Sequence, residues 1–256
     1  MNMQRKICFT GLTVTLLIIT LFFSFTVACG KKAEQAKKRF DLGVQYEEQK
    51  MTEQAIQEYK QAIQLNPKFA DAHYRLGTLY HHLKAYSSAL DEYQKVLQID
   101  PNFRGIHTAI ADAYYVRGML AWVRAMKLDR MTYWHADTST QLPYRDKTEL
   151  LNLIQDYQNS IKTDTSDAAT FSKLSQAYYI LTVDEYQKAI QANPSDTAAI
   201  LYLALTYLEQ GYPQKAMTEY ENLQKVDPRA AAVLQKVFEQ KEKEKAYYES
   251  MKMKGQ

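Results

Sequence analysis

The chain has 256 residues, with 32 Lys and Arg against 29 Asp and Glu, two cysteines and eight glycines. Two cysteines build no disulfide framework, and no pair of CxxC elements is present to hold structural zinc. A net charge of +3 is too small for a nucleic-acid footprint, and no Gly-rich phosphate loop of the P-loop or dinucleotide type occurs.

Arg5 and Lys6 precede an uncharged stretch from Ile7 to Gly30, strongly apolar over Leu16 to Phe23. Basic, then apolar, then small residues is the order of a secretory signal. The stretch ends in Thr26-Val27-Ala28-Cys29-Gly30. This ending resembles a bacterial lipobox, although Thr26 stands where a leucine is usual. The resemblance implies that residues 1–28 are a lipoprotein signal peptide and that Cys29 is acylated. The competing reading is a single-pass membrane anchor, since a span needs ~20 apolar residues. Lys31, Lys32, Lys37, Lys38 and Arg39 follow the stretch and two bases precede it, which for an anchor would place the C-terminal side in the cytoplasm. Cleavage would remove Arg5 and Lys6, leaving 30 bases, 29 acids and a net charge of +1. Residues 29–35 then read as a short membrane-proximal linker with a reach of ~20 Å at most. It would hold the basic cluster near anionic headgroups.

A 34-residue period begins at residue 36. Tyr46, Tyr80 and Tyr114 are 34 apart, as are Ala55 and Ala89, Tyr59 and Tyr93, and Pro67 and Pro101. Tyr186 and Tyr220 repeat the interval, with Pro194 and Pro228. A fixed period of this size marks a solenoid. Within each interval the apolar residues fall at helical spacing, as in Ala55, Tyr59, Ala62 and Ile63. Leu42-Gly43, Tyr46, Ala55, Tyr59, Ala62 and Pro67 resemble a tetratricopeptide repeat, two antiparallel helices, A and B, per unit. Leu76, Gly77, Tyr80, Ala89, Tyr93, Val96 and Pro101 repeat the pattern, and so do Leu203, Ala204, Tyr207, Ala216, Tyr220, Leu223 and Pro228. The resemblance implies an all-α fold, a right-handed α-solenoid of antiparallel helix pairs. About five repeats are expected, with one insert of about 30 residues and a C-terminal capping helix.

Residues 36–103 are two regular repeats, and 197–230 another. Residues 104–196 are irregular. Ile110, Ala111 and Tyr114 mark a helix A, but the next helix B tyrosine is Tyr157, 43 residues on where regular repeats show 13. The surplus, 118–147, starts as a helix with Met119, Trp122, Val123 and Met126 on one face, and holds Trp134 and His135. Ala168, Phe171, Leu174 and Tyr178 mark another helix A, with Tyr186 only eight residues later. Thr182-Val183-Asp184-Glu185 has capping-box spacing and predicts a new helix there, with a kink between 118 and 195. Residues 231–256 read as a capping helix with a charged tail, its stripe being Val233, Leu234, Val237 and Phe238.

No catalytic constellation, metal site or cofactor site emerges. His73 and His107 share one helix A position, and His81 and His82 point apart. His135 with Asp137 in the insert is the one enzyme alternative. Binding has more support. In the family the helix A faces line a groove for a protein or peptide partner. Carried over by position, these are Phe40, Val44 and Glu47; Tyr74, Thr78 and His81; Asp112 and Tyr115; Gln176 and Tyr179; Leu201 and Leu205. The lining suits apolar anchors. The basic clamp of chaperone-binding members is missing, since Phe40 and Val44 hold its positions. Trp122, Trp134 and His135 form a second candidate surface. The expectation is a non-catalytic scaffold lipoprotein of the bacterial cell envelope, outside the cytoplasm. Its role would be assembly of a complex such as a pilus or secretion system, or else recruitment of an envelope protease or cell-wall hydrolase.

Overall fold

The structure is a computed structural model that describes residues 30–128, 142 and 145–254. Among these residues all regular structure is helical: α1 over 30–48, α2 Thr52–Leu65, α3 Ala70–His82, α4 Tyr86–Ile99 and α5 Ile106–Leu128. Then follow α6 Lys147–Thr163, α7 Ala168–Ala192, α8 Thr197–Glu209, α9 Pro213–Val226 and α10 Pro228–Lys254. The chain divides after Pro101 into two compact bodies, α1–α4 and α5–α10.

Helix ends follow from local chemistry. α2, α4, α7 and α9 end at Asn66, Asp100, Asn193 and Asp227, whose ψ values are 91, 97, 93 and 92°. Each precedes a proline, which bars the helical conformation from the residue before it. Asp146, Asp167 and Asp196 cap α6, α7 and α8 by accepting backbone N–H bonds with their side chains. The turns from helix A to helix B pass through the left-handed region at Lys50, Lys84 and Gly211, with φ of 60, 62 and 77°.

The buried core alternates small residues with tyrosines. In the N-terminal body Tyr59 lies against Gly43, where a Cβ would meet its ring at 2.6 Å, and Tyr93 lies against Gly77 in the same way, also at 2.6 Å. In the C-terminal body Ala111, Tyr186 and Ala189 share one cluster, and Ala204 and Leu223 share another that Tyr220 packs against. The helix that closes on Ala111 is therefore the second half of α7, and not the Tyr157 helix expected from the sequence. Tyr157 lies on α6, which packs against α7. With Tyr186 as the reference, Thr182 takes the place of Ala55, Ala89 and Ala216, and Ala189 that of Ala62, Val96 and Leu223.

The helix start expected at Thr182 is absent, and α5 has no turn at Gly118. Gly118 stands 34 residues after Lys84, at the turn position, yet α5 runs straight through it. A Cβ there would meet ring carbons of Tyr179 at 3.2 Å and Tyr178 Cβ at 3.3 Å, so the glycine serves close helix contact instead of a turn. Nor does a new helix start at Thr182. Its hydroxyl donates to the Tyr178 carbonyl at 2.9 Å inside α7, and Glu185 turns to a different helix. α5 and α7 thus form one long hairpin. The inner positions of its distal half include Gly118, Ala121 and Ala125, while Trp122 is half-buried and Leu120 is exposed. The linker expected at 30–35 is helical as well, and Ala36 is fully buried. Those residues span about 9 Å as helix, half the extended reach.

Side-chain bridges to a glutamate recur in register. Arg39 meets Glu58 at 3.0 Å, His73 meets Glu92 at 2.6 Å, and His107 meets Glu185 at 2.7 Å. Each acid directly precedes a helix B tyrosine. Glu185, buried, also accepts from Lys147 and from Lys188 at 3.3 Å. Burial pushes its carboxyl up, but the bonds from Lys147 and His107 outweigh that and hold it below the ordinary carboxylate range.

Two outcomes follow. Thr182→Ala should change stability by no more than about 1 kcal/mol despite complete burial, whereas Tyr186→Ala should cost about 3–5 kcal/mol, both read from denaturant melts. Glu185→Gln should cost about 2–4 kcal/mol at neutral pH, the half-exposed lysines softening the loss. Because the folded-state pKa of Glu185 is depressed, its stabilisation is present above the ordinary glutamate value of ~4.3. It is lost as pH falls through the lower folded value. The difference in Tm between Glu185→Gln and the native chain should accordingly narrow in acid.

Candidate functional site

In the N-terminal body the groove positions sit on α1 and α3. Phe40 packs its ring 4.9 Å from Phe69 and 5.5 Å from Tyr59. Val44 joins the cluster of Ala55, Tyr59 and Leu76. Glu47 accepts the Tyr59 hydroxyl at 2.7 Å and pairs with Arg75 at 3.3 Å. Tyr74 tilts over Tyr93 at 5.9 Å, Thr78 donates to the Tyr74 carbonyl at 3.0 Å, and His81 stands edge-on to Tyr86 at 5.2 Å. The half-buried rings of Phe40 and Tyr74 thus rest on the helix B tyrosines, each offering one face to the core.

The C-terminal body brings its positions together from α5, α7 and α8. The Tyr186 hydroxyl donates to Asp112 at 2.6 Å, and the Tyr115 hydroxyl donates to Glu209 at 2.8 Å. Tyr115 lies 6.1 Å from Tyr179 and 6.2 Å from Tyr202, and Tyr202 stacks on Tyr186 at 6.2 Å. Tyr179 is buried, Gln176 half-buried, and Leu201 and Leu205 pack against the Ile200–Leu234 cluster. Tyr202 and Glu209 belong to this surface and were missed by carrying over two positions per repeat. Glu209 stands four residues after Leu205, one helical turn along the same face, which is the signal that would have found it.

The electrostatics here come from burial. Burial of the Glu209 carboxyl raises its pKa, opposed by bonds from Tyr115 and Tyr179 and by the Lys241 charge, although the residue as a whole is exposed. Burial, and after it the Glu209 charge, holds the Tyr115 phenol well above its usual value.

Other expected residues fall elsewhere. Trp122 is half-buried on α5, while Cys29, Trp134 and His135 lie outside the described residues. Three of the five bases near residue 30 are held by acids: Lys37 by Asp41, Lys38 by Glu34 at 2.8 Å and Arg39 by Glu58. Lys31 and Lys32 are exposed. Among the described residues no helix is long and apolar enough to cross a membrane, and no group of three or more His, Cys, Asp or Glu could hold a metal ion.

Comparison with known families matches residues 43–84 to the TPR repeat and 70–103 to the tetratricopeptide repeat. Among solved structures the chain is similar to TTC0263, a thermophilic TPR protein in Thermus thermophilus, at 17% identity over 78% of this chain and 98% of that one, with a TM-score of 0.35. It is also similar to PilW, a widely conserved type IV pilus biogenesis factor, at 16% identity over 75% and 77% with a TM-score of 0.34. A third is MamA of Desulfovibrio magneticus RS-1, at 14% identity over 76% and 96% with a TM-score of 0.32. No curated protein matches the chain.

Tyr115→Phe removes a bond that stabilises the Glu209 carboxylate. The Glu209 titration should therefore move to higher pH, read from the side-chain carboxyl resonance by NMR.

Proposed function

We propose that this tetratricopeptide-repeat protein is a lipid-anchored, non-catalytic scaffold that holds protein partners beside a bacterial envelope membrane. Its role on this reading is assembly of an envelope complex such as a pilus or secretion machine. The repeats supply the protein–protein interaction function. The anchor is read from the uncharged stretch that ends in Val27-Ala28-Cys29-Gly30.

The observation that carries this reading is that the chain is already helical at Gly30, the residue that follows Cys29 in the sequence. An acylated Cys29 would join a folded repeat array with no spacer, so the array would ride close to the bilayer. Lys31 and Lys32, both exposed, would add about 1 kcal/mol each on an anionic leaflet. One acyl chain gives only marginal anchoring, and the several chains of a bacterial lipoprotein would make it durable. The work of the array is reversible association. Aromatic faces on α1, α3, α5 and α8 supply apolar area, and Glu47 and Glu209 supply polar register.

Metabolic labelling with a palmitate analogue should mark the native chain and leave Cys29→Ala unlabelled; equal labelling of both would sink the anchor. Replacing Tyr74, Tyr115 and Leu201 together by Ala should abolish co-purification of partners from envelope extracts, and retention of those partners would refute the groove.

A further inference from the structure

Four tyrosines converge in the C-terminal body, two of them reachable from outside. Tyr202 is 38% exposed and Tyr115 half-buried, and their rings meet at 47° with centroids 6.2 Å apart. Tyr186 backs Tyr202 at an interplanar angle of 15°, which fixes the orientation of the exposed ring. Glu209 stands at the rim, tied to the ring system through the Tyr115 hydroxyl at 2.8 Å.

Aromatic faces elsewhere in this body carry a cation of their own. Arg117 lies 4.5 Å over Tyr178, Arg124 lies 5.9 Å over Phe171, and Lys215 serves both Tyr207 at 5.5 Å and Tyr212 at 5.0 Å. Among the described residues no Lys or Arg lies over Tyr115 or Tyr202, and no ion pair reaches Glu209 within salt-bridge distance. In the N-terminal body the groove acid Glu47 has Arg75 at 3.3 Å. The Tyr115–Tyr202–Glu209 surface therefore has the electron-rich rings and the carboxylate of a cation site; among the described residues no cation of the protein lies on the two rings or pairs directly with the carboxylate, Lys241 acting on it only through its charge.

We propose that this surface takes the arginine side chain of a partner segment, its guanidinium lying on the Tyr202 and Tyr115 rings and donating to Glu209, with Leu201 and Leu205 receiving the apolar residues beside it. The proposal rests on the scaffold reading above and names the chemistry of the guest. Arginine fits better than lysine, because a planar guanidinium stacks on a ring and presents a fork of donors to a carboxylate, which a compact ammonium does not. The raised pKa of Glu209 agrees with a carboxylate whose burial outweighs its bonds from Tyr115 and Tyr179 and the Lys241 charge. A guanidinium at the rim would offset that.

The test uses the full chain in detergent and two fluorescein-labelled nonapeptide pools, randomised except for a central arginine or its neutral isostere citrulline. Fluorescence polarisation should show the arginine pool binding about tenfold more tightly. E209Q and Tyr202→Ala should each reduce that preference, and the two combined should abolish it, with thermal melts confirming the fold. Val233→Ala, at an exposed position on α10, should leave it intact. Equal binding of both pools would overturn the arginine site while leaving the groove standing. Binding of neither pool would overturn both readings. A preference that survives the double variant would remove it from this surface.

Discussion

The fold depends on one contact, a helix B tyrosine seated against the smallest side chain of the neighbouring helix A. At Gly43 and Gly77 the Tyr59 and Tyr93 rings come so near that a Cβ would intrude on them. That approach lets two helices of moderate hydrophobicity bury enough surface to be stable as a pair, since packing energy falls off steeply with separation. The ring also carries a polar tip to the same helix A. The Tyr59 hydroxyl ends on Glu47 and the Tyr186 hydroxyl on Asp112, so the polar tip of each aromatic determines where a groove carboxylate points.

The same contact explains how the C-terminal body accommodates extra chain. α5 and α7 keep the small-residue and tyrosine register between Ala111 and Tyr186, then continue as a hairpin whose distal half repeats the device with Gly118 against Tyr178 and Tyr179. Glu185 joins the two levels, gathering His107 from α5, Lys147 from the start of α6 and Lys188 from its own helix. A buried carboxylate held by two lysines and a histidine is costly to break, and it holds α6 against the hairpin.

The proposed binding surface and the packed core share residues. Tyr115, Tyr179, Tyr186 and Tyr202 are partly core and partly surface, and the carboxylates they meet are fixed by hydroxyl donors. A site built this way is preorganised, because its rings are held by the packing that stabilises the body and little freedom is lost when a guest arrives.

The sequence by itself determined the helical class, the 34-residue period and the points where helices stop. Proline after Asn66, Asp100, Asn193 and Asp227 ends a helix through its own sterics, whatever surrounds it. It also determined that Glu47, His81 and Tyr115 stand at equivalent faces, because a fixed period carries a face with it. The tertiary structure showed which helix B answers Ala111. Tyr157 comes first in the chain, but Tyr186 is the one that packs with Ala111, and its Thr182, Ala189 and Pro194 at the spacing of the regular repeats are the sequence signal for it. It decided against a turn at Gly118 and a helix start at Thr182, where local signals pointed to breaks but contact with α7 and burial of Glu185 favoured unbroken helices. It also brought Tyr202 and Glu209 of α8 to Tyr115 of α5, 94 residues away from Glu209 in the chain. Local propensity fixes where a helix can begin and end; which distant faces meet is fixed by the one arrangement in which every small residue finds its ring.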